Sequence, residues 1–171
     1  MTTSDLPAST QGEVQAPAPE AVLEPESTGI DVKAMIIVPS SDWLTHAVSL
    51  MPPTAEHPQG YHRLIGGSVE TGETHEDAIR REVREELGAH IRDLVCLEVV
   101  ENIFVVNGVP GHEVVFVHTG RLDPEPDPVG ATLTESDGSV VPVVWRPFED
   151  SGDPLPLFPA GIAHLANRRH H

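Results

Sequence analysis

Residues 66–88 read GGSVETGETHEDAIRREVREELG, and the whole fold turns on this run. Two glycines permit a sharp turn, an acidic loop follows, and then a helical pattern begins. Thr74 with Asp77 three residues later forms a cap signal that predicts a helix starting near His75. Ile79, Val83 and Leu87 recur at every fourth position and predict its buried stripe, while Gly88 suits the left-handed residue after the last turn. A helix advances about 100° per residue, so Glu82, Glu85 and Glu86 share one face. Glu82 and Glu86 are also a like-charge i,i+4 pair, worth roughly 0.2–0.5 kcal/mol of repulsion. A divalent cation held by oxygen ligands is the simplest compensation.

From Gly67 onward the run resembles the Nudix box, G-x5-E-x7-R-E-U-x-E-E-x-G-U, where U is a bulky aliphatic residue. Gly67 is its first glycine, Glu73 the isolated acid, Arg81 and Glu82 the Arg-Glu pair, Val83 the aliphatic slot, Glu85 and Glu86 the paired acids, and Gly88 the closing glycine. Ala89 departs from the pattern, standing where Ile, Leu or Val is usual; it leaves the acids untouched. An exposed amphipathic helix rich in Glu and Arg has no need of GGxxExGE at a fixed distance upstream, which separates the two readings.

The resemblance implies an α+β protein of the Nudix α/β/α sandwich type, with a mixed central sheet. It also implies hydrolysis of a nucleoside diphosphate linked to a further group X, with Mg²⁺ or Mn²⁺ as cofactor. Glu82 and Glu86 become the principal metal ligands, Glu85 a further or water-bridged one, and the Gly66 carbonyl completes the set. Arg81 and Glu73 become supports of the catalytic group, and Arg81 stands at i,i+4 to Glu85, where a planar guanidinium can hold a carboxylate in one orientation. The general base varies in position in this family. Glu113, preceded by His112, is the candidate because it opens a strand beside a hairpin loop; it reads equally as a solvated strand end, and Glu135 is the second candidate.

Composition narrows the partners. The formal charge of −17 speaks against long nucleic acids as partners, which need a basic stripe. A small phosphorylated substrate, such as a nucleotide derivative, reaches so acidic a protein through bridging metal ions. Residues 1–31 hold six acids, no Lys, Arg or aromatic residue, and many Pro and Ala; they read as a disordered tail ahead of a hydrolase domain at 32–171. Neither a signal peptide nor a membrane span is legible. The single Cys96 lies in an apolar run and reads as a buried structural thiol. The expected location is the cytoplasm, and a homodimer is left open. The ten histidines are scattered, with no two at metal spacing on one helix.

Strands are predicted at 32–38, 44–50, 61–65, 94–106, 113–119 and 140–146, with Asn107-Gly108 turning a long hairpin. Residues 122–139 read as an irregular acidic loop and 161–169 as a closing helix. Two other readings fit the fold: a Nudix-type ligand-binding regulator without hydrolysis, whose box acids are usually eroded, and an isopentenyl diphosphate isomerase, which needs a catalytic cysteine. The NADH-type array SQPWPxS is absent, and 91–107 contains neither the Pro of an ADP-ribose signature nor the Tyr of a dinucleoside polyphosphate one. Trp43, Tyr61, Phe104, Phe116 and Trp145 are the aromatic side chains available for stacking or for the core.

Overall fold

The central strand explains why one short segment is almost continuously apolar. In β1 (Asp31–Pro39), Ala34, Ile36 and Val38 face one core while Met35 and Ile37 face another. A strand covered on both sides has no solvent face to alternate with, so its apolar residues run together. The protein is known from a computed structural model, which describes residues 29–149 and 155–166. The expected tail lies outside the described residues as far as residue 28.

The further elements are β2 (Thr45–Met51), β3 (Tyr61–Arg63), β4 (Ile65–Ser68), α1 (His75–Leu87), β5 (His90–Val106), β6 (Val109–Asp123), β7 (Thr132–Thr134), β8 (Val140–Pro147), β9 (Leu157–Phe158) and α2 (Ala163–Ala166). The sheet is mixed. β1 runs parallel to β6 from Asp31↔Glu113 to Ile37↔Thr119, and on its other edge antiparallel to β4 along Lys33↔Ser68 to Ile36↔Ile65. At Val38↔Ala47 it passes to β2, which carries the sheet on to β3 and β8. β3 pairs in parallel with β9. Helix α1 covers one face through Ala78, Ile79 and Val83, and Ile162 and Leu165 at the α2 end cover the other. This is the α+β layered arrangement expected from the sequence.

Helix α1 starts and stops as its capping residues dictate. Thr74 takes extended backbone and its hydroxyl accepts from the Asp77 amide at 3.1 Å, a cap worth about 1 kcal/mol. Gly88 adopts φ +65° and its amide donates to the Arg84 carbonyl. One expectation changes here. Ile79 and Val83 are fully buried, but Leu87 is only half-buried, and Glu82 and Glu86 occupy the inward face instead. The acids are therefore not an exposed patch beside the apolar stripe; they are part of the packed face.

The hairpin is longer than its apolar pattern suggested. β5 and β6 pair from His90↔Asp123 to the Asn107-Gly108 turn, with irregularities at Arg92/Val95 and Cys96/Glu98. Both turn residues have positive φ, as a two-residue hairpin turn requires. The stretch expected as one strand at 61–65 divides at Leu64 into β3 and β4. The acidic loop contains β7, whose pairing with β8 buries Leu133. The closing helix spans Ala163–Ala166, and residues 167–169 lie outside the described set. Among the described residues no helix is long and apolar enough to cross a membrane.

Val83 is fully buried in the core between α1 and the sheet. Val83→Asp places an unpaired charge there and is expected to cost about 3 kcal/mol or more, read as a lowered denaturant midpoint. An unchanged midpoint contradicts this orientation of the helix.

Candidate functional site

The site forms where β4 turns into the loop before α1. Met35 of β1 pairs with Gly66, whose φ of +140° is open only to glycine, and a side chain there would collide with the Ala34 carbonyl. A Cβ on Gly67 would sit inside the Glu82 carboxylate. The second glycine is thus explained by contact: it lets a helix carboxylate lie directly against the strand backbone.

Arg81 organises the acids on the outer side of the helix. Its Nε and Nη2 donate to the two oxygens of Glu73 at 2.9 and 3.0 Å, a bidentate pair. Its Nη1 donates to Glu82 Oε1 at 2.8 Å and Glu85 Oε2 at 3.2 Å, and Nη2 also reaches the Ser68 carbonyl at 2.9 Å. The guanidinium beside Glu73 holds that carboxyl below its ordinary range. Glu73 in turn accepts from the Glu70 amide, so the loop, the arginine and two box acids are tied into one frame. Glu85 is the exposed member, with 58% of its side chain accessible, against 9% for Glu82.

Glu86 is the electrostatic outlier. Its carboxyl is pushed up to about 8, first by burial, then by the neighbouring charge of Glu135, with Glu82 contributing less; Arg63 and the Gly66 amide oppose the shift. The i,i+4 repulsion legible in the sequence is therefore the minor effect, and desolvation dominates. Glu86 Oε2 and Glu135 Oε1 are both buried without a hydrogen-bond partner. Buried orphaned acceptors are costly unless something positive satisfies them. Arg63 supplies part of it, with Nη2 at 3.3 Å from Glu135 Oε2 and 3.2 Å from the Gly66 carbonyl. The donor set of Glu82, Glu86, Glu135 and the Gly66 carbonyl is all oxygen, which fits a hard divalent cation such as Mg²⁺ or Mn²⁺.

Arg63 also lines an adjoining pocket with Tyr61, Phe104, Phe158, Asn102 and Glu113. There Asn102 Nδ2 donates to Glu113 Oε2 at 3.0 Å, Lys33 Nζ lies 4.0 Å from Glu113 Oε1, and Asn102 Oδ1 is buried and unpartnered. Burial raises the Tyr61 phenol, and both Glu135 and Glu113 add to that shift. Of the sequence candidates, Glu82, Glu86 and Gly66 come together, joined by the second base candidate, Glu135. Glu73, Arg81 and Glu85 form the adjacent frame. Glu113 lies in the pocket, bound by Asn102. Arg63 and Asn102 had no motif around them and escaped the sequence reading. Cys96, the residue an isomerase would need, groups with His75 and His118.

A family model for the NUDIX domain matches residues 34–166. The fold resembles a MutT NUDIX hydrolase from Burkholderia pseudomallei at 22% identity, covering 81% of this chain and 95% of that one with a TM-score of 0.56. It likewise resembles a MutT protein from Bacillus halodurans at 18% identity, with 80% of each chain covered and a TM-score of 0.54.

The position of Glu86 makes metal-free stability depend on pH. A folded-state value raised to about 8 means that the native protein keeps a proton the unfolded chain loses near 4.5. Stability is therefore lost as pH rises between these limits. In chelator, the denaturant midpoint of the wild type is expected to fall more steeply than that of Glu86→Gln from about pH 5 to about pH 8. Parallel profiles would contradict the burial of this acid.

Proposed function

The chain belongs to the NUDIX domain family; from that premise we propose that it is a hydrolase that cleaves the diphosphate bond of a nucleoside diphosphate linked to another group, using Mg²⁺ or Mn²⁺. The observation that carries the metal reading is the pair of buried, unpartnered carboxylate oxygens on Glu86 and Glu135 beside Glu82 and the Gly66 carbonyl. A bound divalent ion would supply neutralisation of the phosphoryl oxygens and a water of lowered pKa. Glu82, Glu86 and the Gly66 carbonyl would hold it, with Glu85 as a further or water-bridged donor.

The remaining work falls to the chain's own groups. Arg81, anchored on Glu73, fixes the orientation of Glu82 and Glu85. Arg63 stands between the carboxylates and the pocket, so its guanidinium is suited to phosphoryl oxygens of a substrate spanning both. The pocket receives the organic end: Tyr61, Phe104 and Phe158 offer aromatic surface, and the free Asn102 Oδ1 offers an acceptor for an N–H group such as a nucleobase presents. Glu113 and Glu135 are the two carboxylates proposed to take the proton of the attacking water. Glu135 keeps an unpartnered oxygen, whereas Glu113 is held by Asn102 in the pocket, so we assign Glu135 as the base and Glu113 as a binding group. We further read the enzyme as cytoplasmic.

The purified protein is expected to release phosphate from a diphosphate-linked nucleotide only with Mg²⁺ or Mn²⁺ present. Glu86→Gln should lower turnover roughly 10²–10³-fold, the scale for losing one group that stabilises transition-state charge. Glu135→Gln should lower kcat, whereas Glu113→Gln should mainly raise KM. Full activity in excess EDTA contradicts the metal-dependent reading, and reversal of the last two effects exchanges the roles of the two acids.

A further inference from the structure

A second group of ligating side chains converges away from the carboxylates. Cys96 on β5 and His118 on β6 are directly opposite in the hairpin register, so both side chains leave the same face of the sheet. His75, the first residue of α1, packs on that face. Its ring stacks on Phe116 at a centroid distance of 4.2 Å and 7° between planes, and its Nδ1 lies 2.9 Å from His118 Nε2. The ligating atoms of His75, Cys96 and His118 all fall within 4.8 Å of one another.

The tautomer of His118 is fixed from behind. Its Nδ1 lies 3.1 Å from the Met35 carbonyl, which can only accept, so Nδ1 carries the proton and Nε2 turns its lone pair toward His75 and Cys96. A backbone carbonyl on the far nitrogen is the arrangement that orients a metal-binding imidazole. Burial holds His118 below its ordinary range, which keeps the ring neutral. Two nitrogens bound tetrahedrally to one ion at about 2.0–2.1 Å lie roughly 3.3 Å apart, so the 2.9 Å separation already present needs to open by only a few tenths of an ångström.

We propose that His75, Cys96 and His118 form a binding site for a borderline transition metal of the Zn²⁺ type, distinct from the carboxylate site. One thiolate with two imidazoles is a poor set for Mg²⁺ and a good one for Zn²⁺. The two sites therefore differ in hardness, and excess Mg²⁺ keeps the carboxylate site occupied while the softer site is titrated. Binding forms a metal–sulfur bond and sends the Cys96 thiol proton to solvent, so affinity rises with pH. The ion would pin the first turn of α1 to β5 and β6, and the helix that carries the box would gain a second anchor. This inference is independent of the hydrolase reading.

The test uses metal-free full-length protein titrated with Co²⁺, a spectroscopic stand-in for Zn²⁺, in excess Mg²⁺. The expected result is one Co²⁺ per chain with a thiolate-to-metal charge-transfer band, displaced by Zn²⁺. The band should vanish in Cys96→Ser, persist in Glu86→Gln, and need roughly 10-fold more Co²⁺ in His75→Ala. Zn²⁺ should also raise the thermal midpoint of the wild type and leave that of Cys96→Ser unmoved. No thiolate band in the wild type, or Co²⁺ binding unaffected by Cys96→Ser, would overturn the proposal and leave the three groups as a hydrogen-bonded tether of the helix.

Discussion

The structure depends on bringing the carboxylates of Glu82 and Glu86 inside the protein. A helix normally turns its acids to water, because each buried charge costs several kcal/mol unless it is satisfied. Here the same inward face carries Ile79 and Val83, which anchor the helix through apolar burial worth about 1.5–3 kcal/mol each. The core residues hold the acids where solvation alone would not leave them. Gly66 and Gly67 complete the constraint, since any side chain on either would meet backbone or carboxylate. What remains is a cluster rich in carboxyl oxygens and short of positive partners, with Glu86 Oε2 and Glu135 Oε1 left unpartnered.

Arg81 and Arg63 divide the positive charge between two tasks. Arg81 is saturated by Glu73, Glu82, Glu85 and the Ser68 carbonyl, so it serves as a fixed frame. Arg63 has fewer partners and stands at the boundary with the aromatic-lined pocket, where a substrate can use it. The acids follow the same division. Glu85 and Glu73 belong to the frame, whereas Glu86 and Glu135 keep unpartnered oxygens.

Local signals carried the helix and the central strand. Thr74 and Gly88 bounded α1 because capping is decided within a few residues, and the apolar run of β1 announced a strand. Non-local geometry was not legible. Thr132–Thr134 became a strand only because β8 lies beside it, inside a segment whose acids and glycines signalled a loop. Arg63 reaches Glu135 across 72 residues of sequence, and no spacing rule connects them. Cys96 was expected in the core, yet it is only half-buried, next to an irregularity at Cys96/Glu98, and it meets His75 and His118 from two other elements. The sequence also showed the three box acids as one patch; it could not show that burial separates Glu86 from Glu85.

On the proposed reading, these buried carboxylates hold a hard divalent cation. The most direct measurement is the number of Mn²⁺ ions bound per chain, read from the loss of the free-ion signal in electron paramagnetic resonance. It compares the wild type with a Glu82→Gln, Glu86→Gln double variant shown to be folded by circular dichroism. The wild type is expected to remove Mn²⁺ from solution, and the double variant is expected to leave it free. Equal Mn²⁺ binding by the two proteins, or none by the wild type, would contradict it.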